Sequence, residues 1–191
     1  MSKSFSEHER STINQKLIQS CEECWSRYGY KKTSVGEISQ MAGISTGAFY
    51  LFYKSKEMLF IETAQLVSDR FFSILEKDIP PQPTKHDFAK AIKLMTKELE
   101  NADWFLSLSD EFEMLSRKLP PNYLEQVQIK DVSNFSQVIE KYHLTPKFNT
   151  EKMTVILRAL IMMLHSKKLV GKGFNSAFEF ILDNTIETLF E

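Results

Sequence analysis

Apolar residues recur at helical spacing from the start of the chain. Ile13, Leu17, Ile18, Cys21, Cys24, Trp25 and Tyr28 make one face of a first helix. It is expected to stop near Gly29, because glycine tolerates the left-handed conformation in which helices often end. Lys31 and Lys32 then lie on the surface. Ser34-Val35-Gly36-Glu37 has the form of a capping box, with the Ser hydroxyl accepting from the Glu amide and the Glu side chain reaching back. Val35, Ile38 and Met41 predict the buried stripe of a short second helix ended by Gly43. Ser45 caps a third helix from Thr46 to about Phe52, and Ser55 caps a fourth from Lys56 to about Lys77. Leu59, Phe60, Leu66, Val67, Phe71 and Ile74 mark the buried side of the fourth.

Prolines and glycines divide the remainder. Beyond Pro80, Pro81 and Pro83 the pattern predicts a helix from about Asp87 to Leu99 and another from Asp103 to Arg117. Beyond Pro120 and Pro121 it predicts a seventh from about Asn122 to Tyr142. An eighth follows from Glu151 to about Leu169 and a ninth from Asn175 to Phe190. No internal repeat or low-complexity tract interrupts them.

Two short helices joined by Ala42-Gly43-Ile44-Ser45 have the spacing of a helix-turn-helix. Gly43 permits the turn, Ile44 fills the gap between the helices, and Phe49 faces inward. Thr46, Gly47 and Ala48 leave the tip of the third helix small-residued, so its backbone can sit deep in a major groove where base edges are exposed.

Gly29-Tyr30, Thr33-Ser34-Val35, Ile38, Ala42-Gly43-Ile44-Ser45-x-Gly47, Phe49-Tyr50 and Ser55-Lys56-Glu57-x-Leu59 together resemble the N-terminal signature of TetR-family regulators, ungapped over about fifty residues. Cys24-Trp25 replaces that family's usual Leu-Phe. The resemblance implies an all-α fold of nine helices. Residues 1–55 would form a three-helix DNA-binding domain, and residues 56–191 a helical ligand-binding and dimerisation domain. It implies that Thr33, Ser34, Ser45, Tyr50 and Lys56 hold the phosphate backbone, helped by the positive end of a helix at Ser34, Ser45 and Lys56. Thr46, Gly47 and Ala48 occupy base-reading positions. Gly36 occupies a further one and brings no side chain to it.

The last two predicted helices are apolar on more than one side. Met153, Ile156, Leu157, Leu160, Ile161 and Leu164 form a stripe that Val155, Ala159, Met162 and Met163 widen. Phe174, Phe178, Ile181, Leu182, Ile186 and Leu189 form another, with Phe180 and Phe190 outside it. A helix apolar on two sides buries both. A two-fold four-helix interface is the economical way for a chain of this size to do so. The expected homodimer contacts are Met153, Ile156, Leu160, Met163, Phe178, Ile181, Leu182 and Leu189. The resemblance points to the same two helices.

Charge sharpens the division. Residues 1–56 carry eight Lys/Arg against five Asp/Glu; residues 57–191 carry sixteen against twenty. A basic head on an acidic body suggests that the head meets a polyanion. The polar start of the chain has no secretory pattern, and no apolar run reaches the ~18 residues of a membrane span. A cytoplasmic location, without membrane association, is the expectation.

Candidate chemistry is sparse. Cys21 and Cys24 form C-x-x-C inside a helix with no second pair, so core packing outweighs a redox or metal role. His8, His86, His143 and His165 show no metal or catalytic spacing, and no cofactor or metal is expected. Met95, Trp104, Phe105, Phe112, Met114, Phe135, Met162 and His165 are candidates to line a small-molecule pocket, against the plainer reading of ordinary core. Asp110, Glu111 and Glu113 suggest a solvated helix face, or attraction for a cationic ligand. No nucleophile elbow, phosphate-binding glycine loop or acid–base pair points to an enzyme. The expectation is therefore a ligand-responsive DNA-binding transcriptional repressor, acting as a dimer on an inverted-repeat site in double-stranded DNA and released by a small-molecule effector. A dimeric helical scaffold or small-molecule-binding protein without specific DNA binding is the alternative.

Overall fold

A computed structural model of the chain describes residues 5–101, 115 and 117–191, and these residues are helical with short connections. The helices are α1 (Glu7–Lys32), α2 (Val35–Ala42), α3 (Thr46–Phe49), α4 (Lys56–Asp78), α5 (Lys85–Asn101), α6 (Tyr123–Lys141), α7 (Thr150–Met163), α8 (Lys167–Val170) and α9 (Phe174–Leu189). The helix expected over 103–117 falls almost wholly outside the described residues, as do Trp104, Phe105, Phe112, Met114, Asp110, Glu111 and Glu113. The side chain of His165 is outside them too.

By compactness the chain falls into two units, and the first takes in more than the expected 1–55 module. It comprises the chain up to Asp69 together with 102–119; the second comprises 70–101 with 120–191. The first is held by Leu17, Cys21, Cys24 and Trp25 of α1, Ile38 and Ala42 of α2, Phe49, Tyr53, Leu59, Phe60 and Leu115. Trp25 and Tyr30 both pack on the Phe60 ring, with centroids at 4.6 and 5.0 Å. Aromatic pairs at such separations add roughly 0.5–1.5 kcal/mol to the area they bury. Cys21 and Cys24 are free and buried. Burial pushes the Cys21 thiol up to about 12, which removes the thiolate that reactivity would need. The Cys24 thiol donates to the Met41 sulfur at 3.4 Å.

The second unit has its own core. Phe88 and Met95 of α5, Phe135 and Val138 of α6, Met153 and Leu160 of α7 and Phe178, Leu182, Ile186 and Leu189 of α9 are all buried. Phe88 meets Phe190 edge-on at 5.2 Å and Phe135 at 6.3 Å. Main-chain bonds from Lys147 to the Leu189 carbonyl and from Glu191 to the Thr145 carbonyl pin the last residues beside the loop before α7.

Several sequence expectations need correction. Gly29 has φ 75° and ψ 168°, so regular helix does stop there, yet the chain resumes a helical course to Lys32. The eighth predicted helix is broken: α7 ends at Met163, a 3-10 turn covers Leu164–Ser166, and α8 is a separate short piece. Met41 and Leu66 lie on exposed sides of their helices, and Ser39 and Ala42 take the inner positions of α2. Among the dimer candidates, Met153, Leu160, Phe178, Leu182 and Leu189 are buried within the protomer, while Ile156 and Met163 are partly buried. The denser apolar stripe packs against the chain's own core. The sparser one, Val155 and Met162 on α7 with Phe180 and Ile181 on α9, remains exposed. Met162 is 55% exposed and so does not line an internal pocket, whereas Met95 and Phe135 are buried.

Candidate nucleic-acid interface

The turn between α2 and α3 follows from its capping chemistry. The Ser34 hydroxyl accepts from the Glu37 amide at 3.1 Å and opens α2. The fully reciprocal form of that cap occurs elsewhere, between Ser6 and Glu9 and between Thr84 and Asp87. Gly43 closes α2 in the left-handed conformation at φ 76° and ψ 28°. The Ile44 amide returns to the Ser39 carbonyl at 2.9 Å, which ties off the helix end. Ser45 then opens α3, its hydroxyl accepting from the Ala48 amide at 3.1 Å. Regular helix lasts only to Phe49, because amides of Leu51 and Phe52 make three-residue turns back to Ala48 and Phe49. The expected helix to Phe52 is therefore one turn of α-helix followed by tighter turns.

Phe49 is fully buried and anchors α3, packing its ring edge-on against Tyr50 at 5.3 Å and tilted to Tyr53 at 5.9 Å. The Tyr53 hydroxyl donates to Asn14 of α1 at 2.6 Å, and the Asn14 amide donates to Glu62 of α4 at 3.3 Å. Burial, then the Glu62 charge, hold the Tyr53 phenol above its ordinary range, so it remains a neutral donor. Arg10 of α1 donates to the Leu51 carbonyl at 3.1 Å and lies over the Phe52 ring at 4.9 Å. The end of α3 is thus held by α1 and α4, leaving its beginning clear.

What remains outside is a small, polar tip. Ser34, Gly36, Ser45, Thr46 and Gly47 are exposed, Ala48 is half-buried, and Tyr50 is 57% exposed. Gly36 and Thr46 adjoin: a Cβ placed on Gly36 would stand 3.9 Å from the Thr46 hydroxyl. The start of α2 and the tip of α3 therefore share one shallow surface without a bulky side chain. Serine and tyrosine hydroxyls, with the amides of two helix starts, are suited to oxyanions of a phosphate backbone. The bare tip is suited to close approach.

Two expected phosphate contacts are turned inward instead. Thr33 is buried, and its hydroxyl donates to the Gly29 carbonyl at 2.8 Å. The Lys56 ammonium donates to the carbonyls of Tyr30 and Thr33, both at 2.8 Å, and lies 4.1 Å from the Tyr30 ring centre. At this helix end the Gly29 carbonyl accepts from both the Thr33 amide and the Thr33 hydroxyl, and the carbonyls of Tyr30 and Thr33 are taken by Lys56. Next to it, Glu57 accepts from the Tyr30 hydroxyl and, at 3.3 Å, from Lys118. Burial pushes the Glu57 carboxyl up. Hydrogen bonds from Tyr30, its own amide, Ser55 and Lys118 outweigh that and hold it at about 2. Sequence reasoning missed Arg10, Asn14, Tyr53, Glu57 and Lys118, whose partners lie 27 to 88 residues away.

Residues 17–63 match the family of bacterial regulatory proteins known as the tetR family. Over 97 residues, 49% of this chain, the sequence is 28% identical to the uncharacterized HTH-type transcriptional regulator YerO of Bacillus subtilis. The match spans only 34% of that relative's own length. The fold is similar to that of a TetR-family transcriptional regulator from Haemophilus influenzae, with TM-score 0.64 and 16% identity over 95% of this chain and 98% of that one. It is also similar to NalD, the secondary repressor of the MexAB-OprM multidrug efflux pump in Pseudomonas aeruginosa. There the TM-score is 0.57, at 17% identity over 95% of this chain and 98% of that one.

Proposed function

We propose, from the tetR-family match of residues 17–63 and the fold it shares with regulators of that family, that the chain is a TetR-type ligand-responsive repressor that binds an inverted-repeat operator as a homodimer. The observation that carries this reading is the bare tip formed by Gly36, Thr46 and Gly47, flanked by Ser34, Ser45 and Tyr50 and held from behind by Phe49. Ser34, Ser45 and Tyr50 hold phosphates; Thr46, Gly47 and Ala48 approach base edges; Gly36 leaves room beside them. A single tip covers few base pairs. Two tips from a symmetric pair, about 34–36 Å apart, would reach successive major grooves on one side of the duplex.

Support for the pairing lies in the second unit. Val155 and Met162 on α7 and Phe180 and Ile181 on α9 leave an apolar surface on adjoining helices that the protomer does not cover. Such a surface calls for a second copy. The effector would enter the second unit, with Met95 and Phe135 among its neighbours. It would release DNA only through unequal affinity for the binding and non-binding states. A repressor of an efflux pump, NalD, stands among the structures that share this fold, which supports repression as the mode of action.

Binding of sheared genomic fragments at rising salt tests the proposal. A repressor of this kind selects particular fragments and loses affinity steeply as salt rises. Tyr50→Phe weakens all selected fragments alike and leaves the thermal midpoint unchanged. If the wild-type chain selects no fragment even at low salt, the scaffold reading replaces this one.

A further inference from the structure

The chain passes between its two compact units at residues 69/70, 101/102 and 119/120. The first passage lies inside α4. The third follows a segment, 102–119, that belongs with the head although α5 before it and α6 after it belong to the second unit. Leu115 is buried in the head core, and Lys118 stands two residues before the passage.

We propose that Lys118 is a positioning residue for the DNA-reading head, connecting the segment that ends at residue 119 to the start of α2 through Tyr30 and Glu57. Its ammonium donates to the Tyr30 hydroxyl and to Glu57 Oε1, both at 3.3 Å. The Tyr30 hydroxyl donates to the same Glu57 oxygen, so the three groups form a closed triangle. Tyr30 passes the constraint on through its main chain: its carbonyl shares the Lys56 ammonium with the Thr33 carbonyl. Thr33 directly precedes Ser34, the cap of α2. From Lys118, beside the chain passage at 119/120, to Thr33, the residue ahead of the α2 cap, there is a path of hydrogen bonds joined through the Tyr30 main chain.

The burial pattern favours positioning over bulk stability. Lys118 is 54% exposed while Glu57 is 13% exposed. An exposed lysine on a surface pair adds little to global stability. Tyr30 and Glu57 are nevertheless fixed by the core and by α4, so the lysine has a rigid seat. A change in the second unit that shifts residue 119 would withdraw or press this side chain. The start of α2 would feel it directly, in addition to any movement of α4. The consequence for DNA rests on the regulator reading; the mechanical connection does not.

Hydrogen exchange on the full chain tests the connection without DNA. In Lys118→Met the amides of Thr33, Glu37 and Ile38 should exchange several-fold faster, with the thermal midpoint within about 2 °C of wild type. Lys118→Arg should return them to within about twofold. Faster exchange confined to residues 115–119, or an arginine variant no different from methionine, overturns the proposal. On genomic fragments that the wild type selects, Lys118→Met should bind ~3- to 10-fold more weakly with an unchanged salt slope. A shallower slope would mean that Lys118 touches phosphate, which also overturns it. If the wild type selects no fragment, the regulator reading fails, and the exchange result still decides the role of Lys118.

Discussion

The Lys56 ammonium and the Thr33 carbonyl meet at 2.8 Å, joining the first residue of α4 to the residue just ahead of the α2 cap. A lysine that the family pattern would place on phosphate is here a brace for the backbone around Gly29. Hydrogen bonds from a charged donor are each worth roughly 1.5–3 kcal/mol when lost from a partly buried site. Lys56→Met should therefore lower the unfolding free energy by about 2 kcal/mol, read from urea denaturation with DNA absent. Unchanged stability together with weakened DNA binding would return Lys56 to the phosphate contacts.

Gly36 offers a cleaner probe of base reading. Its backbone does not need glycine, and an added Cβ meets only the hydroxyls of Ser34 and Thr46 at 3.9 Å. Gly36→Ala should stabilise α2 by no more than about 0.5 kcal/mol, since glycine is entropically costlier than alanine in a helix but Gly36 sits in its first turn. Gly36→Arg should keep the fold and shift the selected fragments toward guanine at one position in each half-site. Fragment selection followed by sequencing reads the shift. An unchanged selection profile would mean that the start of α2 stays out of the groove.

Opposite sides of α9 should respond differently to charge. Phe180 is 69% exposed and Leu182 is fully buried in the protomer. If the proposed dimer forms through this side, Phe180→Asp should sediment as a folded monomer, with helical content kept. Leu182→Asp should unfold the chain, because an unpaired carboxylate in the core costs several kcal/mol. A wild-type chain that sediments as a monomer at micromolar concentration would remove the dimer from the proposal.

Acid should destabilise the first unit through Glu57. Burial raises this carboxyl, and the bonds from Tyr30, its own amide, Ser55 and Lys118 lower it further, from an ordinary 4.5 to about 2. A depressed carboxyl stabilises the fold above its unfolded value, and that contribution is lost as pH falls from about 4.5 toward 2. Glu57→Gln should flatten the acid side of the stability curve in that window, as followed by circular dichroism. A curve of wild-type steepness would place the acid sensitivity elsewhere.

Local signals made the helix-turn-helix legible. Capping serines, the left-handed glycine at 43 and the inward Phe49 act within a few residues of themselves, and such short-range chemistry is written directly in the order of residues. The small tip at Thr46, Gly47 and Ala48 was readable for the same reason, whereas the place of Gly36 beside Thr46 was decided by the packing of α2 against α3. Among the described residues the helices also followed from apolar spacing, except where α3 ends early at Phe49 and α7 breaks after Met163.

Periodicity alone determined that α7 and α9 are apolar on two sides. Only the packed chain decided which side is spent internally, because that depends on what α5 and α6 present from elsewhere in the sequence. Lys56, Thr33 and Lys118 show the same limit. Their side chains are long or polar enough to serve DNA, backbone or a carboxylate, and sequence spacing does not rank these against one another, whether the partner is four residues away, as for Thr33, or 23 and 88 away, as for Lys56 and Lys118. Tertiary folding ranked them, since a carbonyl or carboxylate already fixed within hydrogen-bonding distance wins over a ligand that must still arrive.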